Sequence, residues 1–340
     1  MVIKKPGFNQ AMIDLQVRWR RHNVETSEQG LQNGASYPWV LPSARWEEGL
    51  WPALRSGTST SVAEYLSVHR VRRHTGSHNL KSSWVSGVNL YFPFGQSADG
   101  RKTLADFLRS RVDSRIRTVD SVELEYAEEE DLSPSRLLGE EGGSRGSGQT
   151  SPDIAFLVNE RSGLLLVENK LTEHSFYRCS ARTTREDAAR PANPDLERCA
   201  RVHDLLKDVS LCHQQAWGRK YWAQLQGAFS AEQASNLPHC PAATAGYQLF
   251  RQQALAEAIA KSGRYEFVVS VVAIDARNEQ LASSMQSSGI KDVRDWAALF
   301  SGLSTFSVFT HQDWLASVRA STAAEVWRPW ADWISARYEI

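Results

Sequence analysis

Charge of one sign, cysteine and long apolar runs are all scarce in this 340-residue chain, and each scarcity excludes something. Lysine plus arginine number 39 and aspartate plus glutamate also 39, so no net field draws the molecule toward a polyanion. Contact with nucleic acid has to come from local patches. No segment approaches the apolar length that spans a bilayer, and the start MVIKKPGFNQAMIDLQVRW lacks the apolar core of a secretory signal. The chain is therefore expected in the cytoplasm, without membrane contact, its four cysteines reduced and free of disulfides. Neither a GxSxG elbow nor a GxxxxGK[ST] loop occurs, which leaves Ser/His/Asp hydrolysis and nucleotide-driven work without support. Internal repeats are absent too, and low complexity is confined to one Gly/Ser-rich stretch.

What is present alternates between helical and strand patterns. A loop-rich entry leads to TSTSVAEYLSVHRVRRH, where Val62, Tyr65, Leu66 and His69 fall at helical spacing behind a Ser/Thr start. TLADFLRSRVDSRIRTV puts Leu104, Phe107, Leu108, Val112 and Ile116 on one stripe, with Arg109, Arg111, Arg115 and Arg117 elsewhere. SVELEYA then alternates as a strand, Glu123 and Glu125 sharing one face. The acidic and glycine-rich run EEEDLSPSRLLGEEGGSRGSGQT reads as a mobile connection. Further helices are expected at RVHDLLKDVSLCHQQAWGRKYWAQLQGAF and YQLFRQQALAEAIAKSG, an apolar strand at RYEFVVSVVAIDAR, and a strand with a helix at FSVFTHQDWLASV. The sum is an α/β fold, a mixed β-sheet flanked by helices.

Between these lies SPDIAFLVNERSGLLLVENK, Ser151 to Lys170, which reads as two strands joined by the turn NERSG. Both faces of the hairpin are apolar, the mark of central strands covered by other layers. Its open end nevertheless carries Asp153, Glu168 and Lys170. Glu168 and Lys170 share a face because side chains alternate along a strand. If Asp153 pairs with Glu168, all three charges converge; a register slipped by one residue would part Asp153 from the others. Charges at the end of buried strands are costly without a partner. A structural ion pair of Lys170 with Asp153 or Glu168 would meet that cost, and so would a divalent cation on the carboxylates.

The order Pro152-Asp153, one hairpin, then Glu168-Asn169-Lys170 resembles the PD-(D/E)XK nuclease superfamily. HNLKSSWVSGVNLYFPF (78–94), VELEY (122–126) and YQLFRQQALAEAI (247–259) are similar to blocks of a bacterial branch of restriction-endonuclease-like proteins. The resemblance implies a restriction-endonuclease-like core within 101–320, carrying an insertion at about 172–246. A helical and loop-rich region would precede it (1–100) and a C-terminal helix follow it (321–340). It further implies a metal-dependent DNA endonuclease serving defence against foreign DNA. Asp153, Glu168 and the Asn169 backbone carbonyl would hold Mg²⁺ or Mn²⁺, with Lys170 orienting water or stabilising developing charge. Glu125, in the VELEY block, is the choice for a further carboxylate, with Glu140 behind it. Gln248 would contact the nucleophilic water or a phosphate, and Arg251, three residues on, suits a phosphate. Arg70, Arg72 and Arg73 and the Arg109–Arg117 run are candidate backbone contacts, and a homo-oligomer stays open. Two other classes remain: a nucleic-acid-binding module of the same fold without catalysis, and a structural protein whose charges only pair.

The four cysteines, Cys179, Cys199, Cys212 and Cys240, all fall between the Lys170 motif and the Tyr247 helix. No CxxC pair occurs, so they do not spell a zinc ribbon, although His203, His213 and His239 stand near three of them. One separate structural centre, zinc or an iron–sulfur cluster, and four unconnected buried thiols are both compatible with this spacing.

Overall fold

Segments rich in Val, Ile, Leu and Phe pair into a five-stranded sheet in the computed structural model, which describes residues 7–184 and 190–340. The first residues of the N-terminal stretch and part of the polar stretch after Lys170 lie outside the described residues. A small hairpin, β1 (Gly30–Gln32) with β2 (Ala35–Tyr37), stands apart. The central sheet runs β3 (Val119–Leu124), β4 (Ile154–Val158), β5 (Gly163–Lys170), β6 (Phe267–Ile274) and β7 (Thr305–Thr310) in that spatial order. β3, β4 and β5 are antiparallel neighbours, whereas β5–β6 and β6–β7 are parallel and need crossovers. Every residue of β4, β5 and β6 is buried, as two-sided apolar strands require.

Alternation sends the two sets of side chains into two cores. Ile154, Phe156, Val158, Leu165, Val167, Val269 and Val271 face one. That core is roofed by α1 (Phe8–Asn23), α2 (Ser83–Tyr91), α3 (Ala98–Arg111), α5 (His311–Ala320) and α6 (Ala324–Tyr338). Ala155, Leu157, Leu164, Leu166, Val268 and Val272 face the other, covered by α4 (Tyr247–Lys261) and the segment that follows β5. α2 has no polar face: all nine residues are buried. Gly87 lets it approach the sheet, since a Cβ there would stand 3.1 Å from Ile154 and 3.2 Å from the Asn169 amide. No helix among the described residues is long and apolar enough to cross a membrane.

Three details depart from the sequence expectation. The arginine-bearing helix stops at Arg111, and Ile116 reaches the core from a loop. Arg115 pairs with Asp113 and lies over Phe267, and the Arg117 amide donates to Asn159 in the hairpin turn. Arg115 and Arg117 thus sit at the turn end of the hairpin, opposite Asp153 and Glu168. The acidic, glycine-rich run is not a featureless connection either. It holds a short helix, Pro134–Leu138, and Arg145, whose Nη2 donates to the Tyr65 hydroxyl (2.7 Å), the Leu124 carbonyl (2.8 Å) and Glu123 (3.2 Å).

The turn NERSG places Asn159, Glu160 and Arg161 consecutively in the left-handed region, with φ of 55°, 58° and 63°. The Asn159 side chain supports this conformation by accepting from the Arg117 amide (2.7 Å) and the Thr118 amide (3.2 Å) and donating to the Arg115 carbonyl (2.9 Å). Asn159→Ala removes all three bonds and strains φ, so a loss of about 2–4 kcal/mol is expected in urea unfolding. A loss below about 0.5 kcal/mol would mean that the turn does not need them.

Candidate active site

The register decides whether the hairpin's charges meet. Ile154 stands opposite Val167 and Ala155 opposite Leu166, so the next position brings Asp153 opposite Glu168. The Asn169 amide confirms the alignment by donating to Asp153 Oδ2 at 2.8 Å. Lys170 lies two residues from Glu168 on the same face, and its Nζ is 2.5 Å from Glu168 Oε1. β3 adds the next carboxylate. Leu124 pairs with Ile154, after which the Glu125 amide donates to the Asp153 carbonyl at 2.9 Å and the chain turns with φ of 47°. That turn separates the two glutamates expected to share a face: Glu123 binds Tyr65 and Arg145, whereas Glu125 joins Asp153 and Glu168.

Crowding of like charge shapes the electrostatics. Burial, and then the Glu168 carboxylate, push Asp153 up to about 8. Burial with Asp153 and Glu168 raises Glu125 well above the usual carboxylate range. For Lys170, burial favours losing the proton, but Glu168, Glu173 and Asp153 outweigh it and the net shift is upward. The ammonium therefore stays charged at neutral pH. Glu125 Oε1 and Gln248 Oε1 are buried without a hydrogen-bond partner.

Asp153, Glu168, Lys170 and Gln248 line an open cleft of about 560 Å³, together with His74, Lys81, Glu173 and Tyr177. The sequence reading did not select these last four. Only the close approach of the entry region to β5 reveals His74, while Glu173 lies three residues beyond Lys170 and could have been read from the motif's own continuation. Burial, and then Lys170, lower the His74 pKa, and its Nδ1 accepts from the Gly76 amide at 3.0 Å. The neutral ring therefore carries its proton on Nε2.

The other candidates have different surroundings. Gln248 opens α4, its amide bonded to the Phe176 carbonyl at 2.9 Å. Arg251 is engaged elsewhere: it pairs with buried Glu140 (3.1 Å), and Thr150 and Tyr221 complete that network. Glu140 therefore belongs to this network and not to the carboxylates around Asp153. Arg73 lies over Trp46 and next to the cleft's His74, and Arg72 donates to Ser147. On the far side of β5, the Asn169 amide group donates to the Ser83 carbonyl (2.7 Å) and Ser86 Oγ (2.9 Å), with His311 Nε2 2.9 Å from its oxygen.

Asp153, Glu168 and Glu125 bring carboxylate oxygens to one strand end, and an unpartnered Glu125 oxygen is the donor type that suits a hard divalent cation. As the side chains stand, no group of three or more His, Cys, Asp or Glu among the described residues is arranged to hold a metal ion. Glu168 is instead neutralised by Lys170.

A model of the family described as Restriction Endonuclease associating with ARP matches residues 13–339. No curated protein and no solved structure matches.

Proposed function

The chain belongs to the family Restriction Endonuclease associating with ARP, and on that premise we propose that it is a divalent-metal-dependent endonuclease cutting DNA phosphodiester bonds in defence against foreign DNA. The observation that carries this reading is the convergence of Asp153, Glu168, Glu125 and Lys170 at one end of the central strands, where Asp153, Glu168 and Lys170 line an open cleft. We extend to the chain the association with ARP that the family's description names.

Asp153, Glu168, Glu125 and the Asn169 carbonyl would hold Mg²⁺ or Mn²⁺, which when bound neutralises phosphate charge and makes a water more acidic. The chain's own groups do the rest. Lys170, whose Nζ is charged in the metal-free protein, stabilises negative charge growing on a non-bridging phosphate oxygen. His74 offers Nε2–H as a neutral donor to a phosphate, and the unpartnered Gln248 oxygen accepts from the attacking water. Arg73, next in sequence to the cleft's His74, suits a contact to the DNA backbone. A purely structural ion pair would account for Lys170 and Glu168, but it leaves Asp153 and Glu125 crowded against Glu168.

The test is incubation of the full chain with supercoiled plasmid, linear DNA and RNA, in Mg²⁺, Mn²⁺, Ca²⁺ or excess EDTA. Cleavage of DNA in Mg²⁺ or Mn²⁺, and binding without turnover in Ca²⁺, are expected because the water has to be placed closely. Undiminished cutting in EDTA would remove the metal from the reaction, and cleavage of RNA alone would overturn the substrate.

A further inference from the structure

The four cysteines converge. Cys179 follows β5, Cys199 lies in the 3₁₀ turn Leu196–Ala200, Cys212 sits between two further short turns, and Cys240 precedes α4. Four separate segments thus deliver the chain's whole complement of cysteine to one small pocket of about 20 Å³. Main-chain bonds hold them there: the Cys240 amide donates to the Cys199 carbonyl at 2.7 Å, and the Cys179 amide to the Ala242 carbonyl at 2.9 Å. We propose that Cys179, Cys199, Cys212 and Cys240 ligate one thiophilic metal centre, distinct from the carboxylate site and clamping the segment between β5 and α4.

Further observations support a site for sulfur anions. Every pair among the four thiols lies within electrostatic reach. The backbone N–H of the residue two positions on points at the sulfur in three of them, from Ala181 to Cys179, Gln214 to Cys212 and Ala242 to Cys240. Gln214 Nε2 adds a contact of 3.1 Å to Cys179 Sγ. Such N–H groups favour the thiolate and orient metal ligands. Trp222, which lines the pocket, has a buried indole N–H without a partner. The sulfurs do not stand as a finished cage, but rotation about one χ1 bond redirects a cysteine sulfur. None of His203, His213 and His239 lines the pocket; His213 Nε2 is bound at the Pro191 carbonyl. The ligand set is therefore all-sulfur, which zinc and an iron–sulfur cluster both accept.

Purification of the full chain without oxygen, followed by metal and sulfide analysis and absorption spectroscopy, separates the two. About one zinc per chain with no visible colour identifies zinc, and iron with matching acid-labile sulfide and absorption near ~400 nm identifies a cluster. Asp153→Ala with Glu168→Ala should keep this metal in full, whereas Cys199→Ser and Cys212→Ser should each lose it and expose the segment to protease. Wild-type protein with neither zinc nor iron would overturn the proposal without relying on the folding of any variant. Retention of full metal by both serine variants would also overturn it.

Discussion

Asp153→Asn is expected to abolish DNA cleavage while raising the melting temperature of the metal-free protein at pH 8. Asp153, Glu125 and Glu168 crowd around the Lys170 ammonium, which already binds Glu168 at 2.5 Å. Asp153 is pushed up to about 8 because its ionised form is disfavoured by burial and by Glu168. A carboxyl whose folded pKa lies above its unfolded value holds more protons when folded. Its contribution to stability is therefore present at low pH and lost as pH rises through the folded value. Asparagine keeps an oxygen for the Asn169 amide and removes the charge, so a gain on the order of 1–3 kcal/mol is expected at pH 8. Cleavage should fall at least about 10²–10³-fold, the scale of losing one preorganised charge-stabilising group. Lys170→Ala should lose cleavage equally and lower the melting temperature, because it leaves Glu168 buried without its cation. Calorimetry in EDTA with a plasmid assay in Mg²⁺ decides the matter. A lower melting temperature for Asp153→Asn would assign the carboxylate to a stabilising ion pair, and wild-type cutting would remove it from the mechanism.

The second large effect is expected at Asn169, between the two motif residues but facing the other way. Its side chain is wholly buried and ties β5 to α2 through Ser83 and Ser86 and to α5 through His311. Asn169→Leu leaves three polar partners unsatisfied and puts a branched side chain where a Cβ at Gly87 would already stand 3.2 Å from the Asn169 amide nitrogen. A loss of about 3–5 kcal/mol is expected, with reduced cleavage because Glu168 and Lys170 flank the disturbed residue. The network also carries a pH signature. Burial pushes His311 down to about 4, so between 6.5 and 4 the unfolded chain binds a proton that the folded chain refuses. The stabilisation is complete above 6.5 and declines as pH falls through this window, by on the order of 3 kcal/mol. Urea unfolding of wild type and His311→Gln from pH 4 to 7 isolates the His311 contribution, because the opposing proton uptake at Asp153 is common to both: a stability difference between the two that does not change over this range, or a fully stable Asn169→Leu, would refute the account.

Much of this was legible in one dimension because it rests on local rules. Alternation and turn chemistry in 151–170 determine a central hairpin but leave its register open, and Ile154 opposite Val167 selects the one that pairs Asp153 with Glu168. Two-sided apolar strands and amphipathic helices determine a mixed α/β sheet, and the nuclease resemblance agrees with the family match over 13–339. What sequence could not decide depends on which groups distant segments bring together. The left-handed turn at Glu125 swings one glutamate inward and leaves Glu123 to Arg145, a choice invisible to strand periodicity. Arg251 and Glu140 look like site residues by type but neutralise each other. Arg115 and Arg117 end at the far end of the hairpin because their helix stops early at Arg111. His74 and Lys81 enter the cleft only because the entry region packs over β5. Gathering four widely spaced cysteines into one pocket is likewise a tertiary event: spacing reports neighbours along the chain, whereas ligand sets, charge crowding and pKa depend on neighbours in space.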